Sequence, residues 1–142
     1  MTSTLSAIRT GLVSNITGNV SGVNEMTGYL LESINPPCFE IDFPADSFVY
    51  SYTFGDTSHE LDLIVRGIVA ANDPTSGQTL LDTWLNKTGG VKTAIETDKT
   101  LGGAVDDLRV TLATGHRRLL VAEQPNTLFL CAEWTVHLIL ND

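Results

Sequence analysis

Three features of the sequence predict an α+β fold built on a mainly antiparallel sheet. The chain opens on an amphipathic helix, with Leu5, Ile8, Leu12 and Ile16 at helical spacing. Two helical segments follow one another in its middle. Stretches that alternate apolar and polar with period 2 lie before and after that pair. Segregating helices from strands in this way favours a sheet with its N-terminal helix and central helix pair packed on one face. At 142 residues the chain fits one domain, 1–142, long enough to bury a real core.

Taken in order, Ser3 or Thr4 can cap the first helix and Gly18 can end it. Asn19 to Asn24 reads as a loop, and Met26 to Leu30 as a short strand. Pro36-Pro37 forces an extended entry into Cys38–Phe43, which alternates partly before Pro44 halts it. Phe48, Tyr50 and Tyr52 share one face of a further strand, for core packing or for a subunit contact. Glu60 to Ala71 reads as a strand that starts polar and ends buried on both faces. Asp73-Pro74 then caps a second helix, marked by Leu80, Leu81, Trp84 and Leu85 and stopped near Gly89-Gly90. A third, short helix runs from Val91 to about Thr97, and Leu101-Gly102-Gly103 forms a turn. Leu108 to Leu112 is a strand; a turn at Gly115 to Arg118 precedes renewed pairing over Leu119 to Ala122. The period-2 stripe from Leu128 to Leu140 would span about 40 Å, long for so small a domain. That strand is either bent or reaches toward a neighbour.

The net charge of −9 comes from 17 acids against 8 bases. Before Ala71 the chain holds 8 acids and 2 bases, so the excess is concentrated there. It serves solubility, or it lines a surface that must repel phosphate. A duplex-binding protein would offer a basic stripe, whereas the one adjacent basic pair here is Arg117-Arg118. No apolar run is long enough for a membrane span, and the N-terminus lacks the pattern of a signal peptide. Synthesis in the cytoplasm is therefore expected, and the Asn-x-Ser/Thr triplets at Asn15, Asn19 and Asn86 carry no glycan. Cys38 and Cys131 lack a second Cys or a His at ligand spacing, and read as small buried apolar residues.

Templates for chemistry fail on spacing or context. Gly89-Gly90 and Gly102-Gly103 do not sit in a phosphate-binding motif, and no G-x-S-x-G or H-E-x-x-H occurs. Glu133, Thr135 and His137 share a strand face, as an acid/base pair would require, or simply as solvent-side groups. His59-Glu60-x-Asp62 is too short a cluster to define a metal site. Asp106-Asp107 suits a turn, with Arg109 as its partner. The residues thus predict neither enzyme activity nor a cofactor.

Three segments carry a resemblance. Thr53-Phe54-Gly55-Asp56-Thr57-Ser58-His59-Glu60-Leu61-Asp62-Leu63-Ile64-Val65 is similar to a loop-into-strand segment of the tail terminator (tail completion, head-tail joining) proteins of long-tailed bacteriophages, of the type found in phages of actinobacteria. Lys92 to Val110, with its Thr100-Leu101-Gly102-Gly103-Ala104-Val105-Asp106-Asp107 core, resembles the helix, turn and strand of that family's C-terminal half. Ala132-Glu133-Trp134-Thr135-Val136 resembles its closing strand. With the N-terminal helix and Ile34-Asn35-Pro36-Pro37, the likeness covers most of the chain.

The resemblance implies a structural virion protein. It would cap the finished tail tube as a hexameric ring, end polymerisation and meet the head connector. The partners so implied are further copies of the chain, the major tail tube protein and the connector or stopper protein, with no membrane. DNA would pass through without specific binding. A ring needs a head-to-tail interface. Candidate contacts are Phe48, Tyr50, Tyr52, Arg66, Arg109, Arg117 and Arg118. Candidates for an acidic lumen are Glu40, Asp42, Asp46, Asp56, Glu60 and Asp62. The competing expectations are a head-closure component of the phage neck, a small dimeric α+β enzyme or ligand-binding domain, and an acidic mimic of nucleic acid.

Overall fold

The chain folds as α+β, seen in a computed structural model that describes residues 5–31, 34–43, 48–49, 58–70, 74–121 and 124–141. The helices are α1 (Leu5–Asn19), α2 (Pro74–Leu85) and α3 (Val91–Ile95), with one 3-10 turn at Leu101–Gly103. The strands are β1 (Cys38–Asp42), β2 (Phe48–Val49), β3 (Ser58–Ala70), β4 (Asp107–Val121) and β5 (Gln124–Asn141). They form one antiparallel sheet in the order β1-β3-β5-β4, with β2 beside β3.

Alternation decides which face each side chain takes. Leu61, Leu63 and Val65 of β3, with Ala132, Trp134, Val136, Leu138 and Leu140 of β5, point to the helices and are buried. Phe39 and Ile41 extend that layer onto β1. From the helices, Ile8, Leu12 and Ile16, Leu81 and Trp84, and Val91 and Ile95 close the core. Phe39 stacks tilted on Trp84 with ring centroids 4.6 Å apart. This fit requires Gly67, which pairs with Phe39 across the strands. A Cβ at Gly67 would lie 2.8 Å from both Phe39 and Trp84.

Asn15 occupies the buried stripe of α1. Its amide donates to the carbonyls of Ile95 (2.9 Å) and Asp98 (3.2 Å), tying α1 to the end of α3. The Ile95 carbonyl ends the short helix, so the side chain satisfies what the helix cannot, while the Asp98 carbonyl also accepts from the Leu101 N–H.

Four expectations are revised. Met26 to Leu30 is not a strand: only a bridge between Glu25 and Cys38 forms there. Gly28 adopts φ 87°, and its carbonyl accepts a hydrogen bond from Arg9, which bends the segment over α1. Leu5 is exposed, so the buried stripe of α1 begins at Ile8. No turn occurs at Gly115 to Arg118. β4 runs through, absorbing the glycine as an irregularity in register between Thr114 and Arg117. The last strand is longer than its stripe, 18 residues, and lies inside the sheet with β3 on one side and β4 on the other. Asp73, Tyr50 and Tyr52 lie outside the described residues.

Candidate interaction surface

The face of the sheet turned away from the helices holds most of the singled-out residues. The register sets them in rows. Cys38, Ile68 and Cys131 form one row, and Glu40, Arg66 and Glu133 the next. Asp42, Ile64, Thr135 and Leu112 follow, then Asp62, His137 and Arg109.

The first row is apolar. Ile34 and Phe129 join the two cysteines and Ile68 in a second small core, with Leu31 and Leu119 packed against it. Both cysteines are free and buried, and burial pushes the Cys38 thiol up to about 12. They sit on either side of β3, about two strand spacings or ~10 Å apart, beyond disulfide reach.

The second row is an ion network. Arg66 donates through Nη1 to Glu40, through Nε to Glu133 at 2.8 Å, and lies 3.5 Å from Asp42. Arg117 reaches the other Glu133 oxygen at 2.8 Å. The backbone N–H of Leu31 donates to the remaining Glu40 oxygen. Burial opposes the Arg66 charge, but the hydrogen bonds it donates to Glu40 and Glu133 outweigh that and hold the guanidinium charged. No buried side-chain N or O among the described residues lacks a partner.

The third cluster centres on His137. Its Nδ1 lies 2.6 Å from Asp62 and its Nε2 lies 3.2 Å from Glu60. Ionised carboxylates only accept, so this geometry favours the imidazolium, in which both ring nitrogens donate. The hydrogen bond to Asp62 accordingly raises the His137 pKa, against partial burial that would lower it. Among the described residues no group of three or more His, Cys, Asp or Glu is placed to hold a metal ion.

The structure therefore brings Arg66, Arg117, Glu40, Asp42, Glu60 and Asp62 onto one face, together with Glu133 and His137. Glu133 and His137 share that face, but each is spent on a different network. Glu40, expected at an acidic lumen, is only 7% exposed because Arg66 and Leu31 take both its oxygens. The acids of this face that reach solvent are Asp42 and Asp62, with side chains 38% and 47% exposed, less so Glu60, and Asp107 at the start of β4. Arg109 is exposed at the β4 margin, opposite His137; Arg118 is exposed too, but pairs with Leu130 and faces the helix side. Phe48 lies beside Leu61 in β2, while Asp46 and Asp56 lie outside the described residues.

One feature had no signal in the sequence. Arg9 is stacked between Tyr29 (4.2 Å) and Phe43 (4.8 Å), while donating to Gly28. Its partners lie far along the chain, and a single Arg on a helix predicts none of them.

No protein-family model matches this chain, and no curated protein matches it. No described helix is long and apolar enough to cross a membrane.

Proposed function

We propose that this chain is a structural subunit of a long-tailed phage virion, a tail terminator that caps the tail tube as a hexameric ring. One observation carries the reading. The segments that resemble tail terminators lie far apart in sequence, yet fold into one block of the sheet. The described part of the first forms the start of β3, the second supplies α3, the 3-10 turn and the start of β4, and the third is the middle of β5. Val65 pairs with Trp134, and Val110 with Val136, so the three are direct neighbours.

In this reading the subunit works through surfaces rather than chemistry. One ring face matches the last ring of the tube; the other refuses a further tube subunit and accepts the connector. A wall of subunits at net charge −9 repels phosphate, which lets DNA slide where Lys and Arg contacts would hold it.

The test is mass by light scattering, with the chain alone and with the tail tube protein of the same phage. The expected result is a monomer or weak oligomer alone, and a hexameric ring on the tube. A tight dimer indifferent to tube protein would overturn the proposal, and binding to the connector alone would reassign the chain to the neck.

A further inference from the structure

We draw no further inference here: the strongest candidate, the surface notch where Arg9 of α1 meets Tyr29, Leu30 and Phe43 beside the end of β1, carries nothing because no feature of the structure shows what covers it.

Discussion

Arg66 and His137 show how single charges are made tolerable on this sheet face. Arg66 compensates two largely buried carboxylates at once, so removing it leaves Glu40 with only the Leu31 N–H and Glu133 with only Arg117. Arg66→Met should cost about 3 kcal/mol or more, read as the shift in a urea unfolding midpoint. If the cost is under 1 kcal/mol, the network does not hold the strands together. For His137 the sign follows from its raised pKa. The stabilisation is fully present below the unfolded-state pKa of about 6.5, and is lost as pH rises through the higher folded-state value. NMR titration of His137 should give a pKa above the ordinary one, and Asp62→Asn should move it back down. The sequence named Asp62 and His137 separately. It held no sign that they meet, because a separation of 75 positions closes only through β3–β5 register.

At the scale of elements, the core is set by how closely helices approach strands. Gly67 is the one residue that lets Phe39 and Trp84 stack over β3, so Gly67→Ala should destabilise by about 1–3 kcal/mol through displaced aromatics. A thermal melt checks it, and a neutral result would mean that the rings yield freely. Asn15 does for α1 and α3 what packing alone does not. Asn15→Ala takes its donor from the Ile95 carbonyl and one of two donors from the Asp98 carbonyl, for an expected loss of about 1–2 kcal/mol in the same assay. β4 was read as two strands because a glycine before a basic pair looks like a turn. Pairing with β5 overrides that local preference, and the glycine becomes a bulge instead.

For the whole molecule, stability should be graded across the sheet. Leu63 to Gly67 and Ala132 to Val136 are central, with helices over one side and the ion network or small core on the other. Their amides should exchange slowest with deuterated solvent, and those of Thr111 to Gly115 on the exposed edge fastest. Uniform exchange along β4 would contradict this order. The segregation of helices from strands, and the face of each strand, were legible because periods of 3.6 and 2 are written directly in the apolar pattern. Strand order was not legible, since antiparallel pairing permits several arrangements of the same stripes. The candidate site was half legible: Arg66, Asp42, Glu60 and Asp62 could be named as charged strand residues, whereas their division into two networks depended on register.

The sequence by itself determined that this is an acidic α+β chain with a long closing strand and its acidic excess concentrated before Ala71. It did so because charge and periodicity are local properties. Only the tertiary structure decided that β4 is an edge strand exposed over Thr111 to Gly115, and that Glu40 is buried while Asp42 on edge strand β1 and Asp62 on interior strand β3 reach solvent. Those are properties of neighbours across a sheet, and strands become neighbours through the pairing of backbones that no single segment specifies.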